Sequence, residues 1–197
     1  MSSLPNPRTF KKTSTLAVGL ALGVLTLSAR AQNQDTNNLN TALGQFESRP
    51  DVLLGQGFAD IGTVPFGQEE VRVRVRESRN LATDQKLYGL SVDWGENGRF
   101  LRLLVDDDEL DGLIAAVGRL TTIKGEEVTS LPGFEASFTT KSGVRVIAHS
   151  DRANGAVLTY LQFEDFPRIP LSSVQIQQLG VLLQQGRKNL DALKAGK

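Results

Sequence analysis

The densest charge in the sequence is V-D-D-D-E-L-D-G at residues 105–112, where five acidic residues precede a glycine. This spacing could bind calcium, because an EF-hand loop takes oxygen ligands from its first, third and fifth positions and has glycine at its sixth. A loop starting at Asp107 meets these requirements, but its twelfth residue is Gly118, where a bidentate glutamate is needed. We therefore predict no metal site here.

The start of a helix accounts for the acidic run better. Asp106 is a good N-cap, and Glu109 three residues later completes an acidic capping box. Asp107 and Asp108 fall in the first turn, where negative charge meets the positive end of the helix dipole, and Asp111 lies one turn further on. Asp107, Asp108 and Asp111 are also predicted partner-binding residues, and weak surface binding of Ca²⁺ is the remaining alternative.

The segment V-R-V-R-V-R-E at 71–77 alternates strictly, so Arg72, Arg74 and Arg76 share one face of a strand. They could form a docking face for an acidic partner, and we include them among the predicted partner-binding residues. Alternatively, their charges guard an edge strand or meet acids across the sheet. Nucleic acid is not favoured, because no aromatic residues alternate with these arginines.

Catalytic chemistry has little support in the sequence. His149 is the only histidine, and its neighbours in H-S-D point to alternate faces of a strand, so they cannot form a triad. With no cysteine and one histidine, Cys- or His-based metal sites are excluded within one chain. We predict no catalytic residue, no metal and no cofactor. A hydrolase using two carboxylates stays an alternative, and its candidate members are Asp93, Glu96, Glu135, Glu164 and Asp165.

The N-terminus is typical of a secretory signal. Three basic residues precede an apolar stretch at 13–27, and Ala29-Arg30-Ala31 supplies a cleavage site. We predict a cleaved Sec-type signal peptide over 1–31, with an uncleaved membrane anchor as the alternative. Cleavage removes four of the 22 basic residues and none of the 22 acidic ones, which leaves a net charge of −4. Such a chain has no bulk attraction for nucleic acid or anionic lipid.

The rest of the chain predicts a disordered polar lead-in at 32–50 and a single α+β domain at 51–197. Residues 51–67 are glycine-rich and predict an irregular entry with at most one short strand. Six segments are predicted as strands: 71–77, 86–94, 99–105, 134–140, 144–150 and 156–164. Turn residues predict hairpin loops at 95–98 and 153–155.

Two amphipathic helices complete the pattern. The first is predicted at about 107–121, and the second begins with a Ser172–Gln175 capping box and ends near Leu193. The order is βββα–βββα, with half-repeats at about 68–122 and 133–194. We predict an antiparallel sheet, or sheets, of about six strands with both helices packed on it.

These features predict an exported, soluble, non-enzymatic domain, periplasmic or extracellular, that binds an unidentified protein or small ligand. A carrier with an apolar pocket beneath the sheet is a further alternative to the hydrolase. Most strand aromatics should pack in the core, and this pattern fits a filled core as well as a pocket. Those aromatics are Tyr88, Trp94, Phe100, Phe134, Phe138, Tyr160 and Phe163.

Overall fold

The computed structural model of the protein describes residues 36–96, 99–131, 133–150 and 156–196. The chain divides into a compact unit from Asn33 to Lys197 and a smaller one, Met1–Gln32, which lies outside the described residues. The predicted signal peptide, the predicted loop at 153–155 and residues 97–98 of the other loop therefore also lie outside them.

The strands form two antiparallel sheets, each of four strands in sequential order. The first sheet contains β1 (Leu54–Phe66), β2 (Glu69–Asn80), β3 (Lys86–Glu96) and β4 (Arg99–Asp106). The second contains β5 (Glu135–Thr139), β6 (Val144–Ser150), β7 (Val157–Phe163) and β8 (Ile169–Leu171). The predicted α+β class with antiparallel sheets is confirmed. The prediction of about six strands is wrong, because the described residues form eight strands in two sheets.

Four α-helices are described: α1 (Ala42–Glu47), α2 (Asp107–Leu120), α3 (Gly125–Val128) and α4 (Ser173–Lys194). A 3₁₀ helix at Thr36–Asn40 precedes α1. The order ββββα thus occurs twice, and its first occurrence begins at residue 54. The predicted capping box of α4 is confirmed, because Ser172 and Gln175 each accept from the other's backbone N–H.

The alternating valines of β2 explain the core. Val71, Val73 and Val75 are buried in one cluster with residues of the second sheet such as Val146 and Leu161. Both long helices contribute to this cluster, α2 through residues that include Leu110, Leu113 and Val117, and α4 through residues that include Ile176, Leu183 and Leu190. Each such side chain stabilises the fold by about 1.5–3 kcal/mol through removal of apolar surface from water.

Strand β1 occupies most of the segment that was predicted as an irregular entry with at most one short strand, and its alternation is hidden because a bulge interrupts it. The register with β2 shifts between Asp60 and Gly62, so Ile61 is an extra residue on this strand. Phe58 is exposed before the bulge, whereas Val64 is buried after it. An apolar pattern with a period of two is therefore absent from the sequence even though the strand has 13 residues.

Strand β8 was missed for a different reason. Its three residues include Pro170, which lies opposite Tyr160 of β7. Proline lacks the N–H that a central strand needs, and it is tolerated here because β8 is at the edge of its sheet.

The predicted disordered lead-in is wrong for residues 36–50, and its first residues, 32–35, lie outside the described part. Leu43 and Phe46 of α1 are each only 1% exposed. Residue 89 is a glycine where β3 meets both β4 and α1, because a Cβ there would lie 2.6 Å from the Val105 carbonyl oxygen of β4 and 3.2 Å from Leu43 of α1. The Leu43 and Phe46 side chains of this short segment are therefore part of the folded interior.

This packing predicts that residues before the first strand stabilise the fold. Phe46→Ala should lower the free energy of unfolding by about 3–5 kcal/mol, because a buried ring is removed. Leu39→Ala, at a side chain 48% exposed, should change it by less than about 0.5 kcal/mol. Urea unfolding of both variants measures this, and equal small effects would contradict the packing of α1.

Candidate functional site

The acidic run begins where β4 ends. Asp106 has extended backbone angles (φ −67°, ψ 154°) and forms a capping box with Glu109, as predicted. The Glu109 carboxylate accepts a hydrogen bond from the Asp106 N–H at 3.0 Å. Asp107 and Asp108 lie in the first turn of α2, also as predicted.

The Asp106 side chain has a role that the sequence did not indicate. It is 4% exposed, and its two oxygens accept from the N–H groups of Ala42 at 2.7 Å and Leu43 at 3.1 Å. These are the first two residues of α1, so one carboxylate satisfies N–H groups that a helix start leaves without intrahelical partners. Asp106 thus caps α2 and is hydrogen-bonded to the first turn of α1.

Lys141, in the turn between β5 and β6, joins the second sheet to this point. Its ammonium lies 2.6 Å from Asp108 and 3.1 Å from Asp106, and its backbone N–H donates to Glu109 at 2.7 Å. The hydrogen bond to Asp108 is the main cause that raises the pKa of Lys141. Burial raises the pKa of Glu109, against the lowering effect of the N–H groups that it accepts from.

The two other predicted acids connect the helices. Arg187 of α4 lies 2.9 Å from Asp107 and 3.3 Å from Asp111, and Lys194 also contacts Asp107. The side chains of Asp107, Asp108 and Asp111 remain 35%, 71% and 72% exposed. Each of the three predicted partner-binding acids thus has a cation of its own chain beside it.

The arginine stripe does not guard an edge, because β2 lies between β1 and β3. Arg74 lies 2.6 Å from Asp60 of β1 and 3.5 Å from Asp93 of β3. Arg76 is 3.0 Å from Glu47 of α1. Arg72 pairs with Glu70. Arg74 therefore meets acids on both neighbouring strands, which was one of the alternatives to a docking face.

Asp93 is the most buried carboxylate in this group, with a side chain only 1% exposed. Arg102 of β4 reaches it at 3.2 Å from the side opposite Arg74. A buried carboxylate is strongly unfavourable without such partners. Because each arginine of this face meets a carboxylate, the face has no surplus of positive charge to attract a polyanion.

Among the other carboxylates named as catalytic candidates, the side chain of Glu96 lies outside the described part of the structure. Glu135 lies between Arg145 at 2.8 Å and Arg168 at 2.9 Å. One oxygen of Glu164 and the Nδ1 atom of His149 are buried without a hydrogen-bond partner. Within the described ranges, no three His, Cys, Asp or Glu residues are placed to hold a metal ion.

An open groove of about 510 Å³ lies where the turn between β1 and β2 meets β8 and the start of α4. Phe66, Ile169 and Pro170 form its apolar part, and Gln68, Glu69 and Gln175 its polar part. Little in the sequence selects these residues, because most of them belong to β1, to β8 or to the turn after β1, where the sequence pattern is irregular. An exposed proline and an aromatic beside the Gly67 turn are the only local hint.

Trp94 lies next to the groove. Its indole N–H donates to the Glu69 carboxylate at 3.1 Å. Its ring stacks on Phe163 at 6.2 Å between centroids and meets the exposed Phe166 edge-on at 5.4 Å. Of the predicted core aromatics, Phe134 and Phe163 are buried in the core cluster, with Tyr88, Trp94 and Phe138 packed against it.

Comparison with models of protein families, with curated proteins and with solved structures finds no match for this chain. Among the described helices, none combines the length and apolarity needed to cross a membrane.

The geometry at Asp106 predicts a large difference between neighbouring acids. Asp106→Ala should cost about 2–4 kcal/mol of unfolding free energy, because it leaves N–H groups at two helix starts without their acceptor. Asp108→Ala removes an exposed ion pair and should cost less than about 1 kcal/mol. Urea unfolding at neutral pH measures both, and similar costs would show that Asp106 does not connect the two helices.

Proposed function

We propose that the chain is an exported, soluble, non-enzymatic domain that binds a polypeptide partner through the groove beside Trp94. The observation that carries this proposal is the mixed lining of an open groove. Three apolar residues could accept an apolar side chain, and amide and carboxylate groups at the rim could bind the backbone of the same segment. An extended segment is favoured because the groove is open rather than enclosed.

The charge of the groove indicates what the segment carries. Among the described residues that line the groove, Glu69 is the one acidic residue and none is basic. The Trp94 N–H binds one of its oxygens, so the other can accept from a ligand. We therefore propose a segment with a basic residue next to an apolar one.

The two alternative functions have less support. A glycosidase-like hydrolase needs two carboxylates that face one another across a cleft, whereas Glu69 is the single carboxylate among the described residues of this groove. A carrier needs an enclosed apolar cavity, whereas this groove is open and half of its lining is polar. Asp108 and Asp111, the most exposed of the predicted acids, stay proposed contacts for a partner in addition to the groove.

Binding in the groove can be followed through Trp94, because it is the only tryptophan in the chain. A library of extended peptides with an apolar residue beside a basic one should contain members that change its fluorescence. Phe66→Ala should weaken binding by about tenfold or more, because it removes the apolar contact. Glu69→Gln should weaken it by up to about fivefold. Thermal unfolding checks that both variants are folded.

Val181→Ala is the matched control, because Val181 is 62% exposed on α4 and does not line the groove. It should bind the selected peptides like the unchanged chain. A library without any peptide that alters Trp94 fluorescence, or an equal loss in the control, would contradict the proposed site.

Export is a separate part of the proposal, supported by the basic and apolar segments that precede Ala29-Arg30-Ala31. Mass spectrometry of the secreted or periplasmic protein should find a chain that begins at Gln32. A soluble chain that begins at Met1 would contradict export. A membrane-bound chain that begins at Met1 would support the uncleaved anchor.

A further inference from the structure

The first sheet has two edges, and side chains cover one of them. On β4, the Asn38 amide donates to the Arg102 carbonyl at 2.8 Å and accepts from the Leu104 N–H at 2.8 Å. The Ser142 hydroxyl donates to the Leu104 carbonyl. These contacts occupy backbone groups that would otherwise be available to a further strand.

Half of the other edge is covered as well. The Gln175 and Gln178 side chains of α4 donate to the carbonyls of Pro65 at 2.7 Å and Thr63 at 3.0 Å. After the bulge, therefore, the odd-numbered residues of β1 direct their backbone groups away from β2.

Before the bulge, the even-numbered residues of β1 direct their backbone groups away from β2. The extra residue, Ile61, reverses the alternation, and the Leu53 carbonyl, which accepts from the Leu81 N–H, faces β2. The outward residues are thus Leu54, Gln56, Phe58 and Asp60, and each has one N–H and one C=O to offer. Within the described chain, no hydrogen bond to these outward groups is found.

This N-terminal half of β1 lacks the usual protection of an edge strand. Phe58 is 65% exposed, and Leu53 and Leu81, at the N-terminal end of this half, are 72% and 53% exposed. Residues 54–60 contain no lysine, arginine or proline. Their only charge, Asp60, is neutralised by Arg74 at 2.6 Å.

Gly57, in the middle of this segment, has no explanation within its own chain. A Cβ at this position would meet nothing within 4 Å, and its backbone does not adopt a positive φ. Glycine weakens a strand unless another backbone or ligand comes close. An approaching strand would account for it.

We propose that residues 54–60 of two copies of this chain pair as antiparallel strands about a two-fold axis at Gly57. The first sheet of one copy then joins the first sheet of the other, and the two form one sheet of eight strands across the dimer. In this register Gln56 lies opposite Phe58 of the second copy, and the two Phe58 rings are diagonal neighbours, within reach of one another. Such an interface is self-complementary and closes as a dimer.

Charge favours a second copy as the occupant of this edge. The segment is neutral once Asp60 is paired, so it offers nothing to select a charged partner. In the proposed register Asp60 lies opposite Leu54 of the second copy. The two Asp60 residues are then separated by about 20 Å along the strands, beyond the distance over which exposed charges repel at physiological salt.

Sedimentation equilibrium of the chain, produced with its own N-terminal segment, tests the proposal. The unchanged protein should dimerise in the micromolar range. Gly57→Lys should raise the dimer dissociation constant at least about tenfold, because two like charges would lie opposite one another. The lysine fits the monomer, since the site is open. Gln56→Pro should act likewise, because it removes an outward N–H that no described residue of the same chain accepts from.

Gly118→Lys is the matched control, because Gly118 is also open, on the exposed side of α2. It adds the same charge away from β1 and should leave dimerisation unchanged. An unchanged protein that remains monomeric throughout the micromolar range would overturn the proposal, as would equal dissociation constants for the two lysine variants.

Hydrogen exchange identifies the edge. The amides of Gln56, Phe58 and Asp60 should exchange more slowly as protein concentration rises, and Gly57→Lys should abolish this dependence. A dimer in which these amides exchange as fast as in the monomer would place the contact elsewhere and overturn the proposal.

Discussion

The junction between the two halves depends on one buried carboxylate. Asp106 ends β4, begins α2, accepts from the first N–H groups of α1 and lies 3.1 Å from the Lys141 ammonium. A carboxylate can do this because it accepts several hydrogen bonds at once and has a negative charge that favours helix N-termini. The position of Lys141 matters equally, since a buried charge without its partners would be strongly unfavourable. The acidic run therefore serves to connect the two halves of the chain.

Sequence patterns predicted the elements whose local signal agrees with their final environment. β2 alternates because one face is buried, and α2 and α4 begin at capping boxes that the sequence displays. β1 and β8 were missed because a bulge and a proline remove that signal, while pairing with a neighbouring strand still stabilises them. The burial of α1 depends on Gly89 and Asp106, residues far along the chain, so no window of the sequence could predict it.

The candidate site was less predictable than the fold, because a sequence displays charges but not their partners. Arg187 and Asp107 are 80 positions apart and 2.9 Å apart in space. Arg74 likewise meets Asp60 and Asp93 on both sides. In the folded chain, most of the predicted contact residues therefore form ion pairs with other residues of the same chain. The groove, in contrast, consists of residues that are unremarkable in sequence and come together only when β8 lies near the end of β1.

The length of the first sheet explains why surface remains available on β1. Its first three strands have 13, 12 and 11 residues, whereas the longest strands of the second sheet have seven. Helix α4 contacts Pro65 and Thr63 near its start and Asp107 near its end, so its course leaves the N-terminal half of β1 exposed. The backbone of β1 pairs with β2 there as far as Leu54 opposite Asn80, whereas no hydrogen bond within the described chain satisfies the groups on its other side. This end of the sheet therefore gains more from another strand than the covered end could.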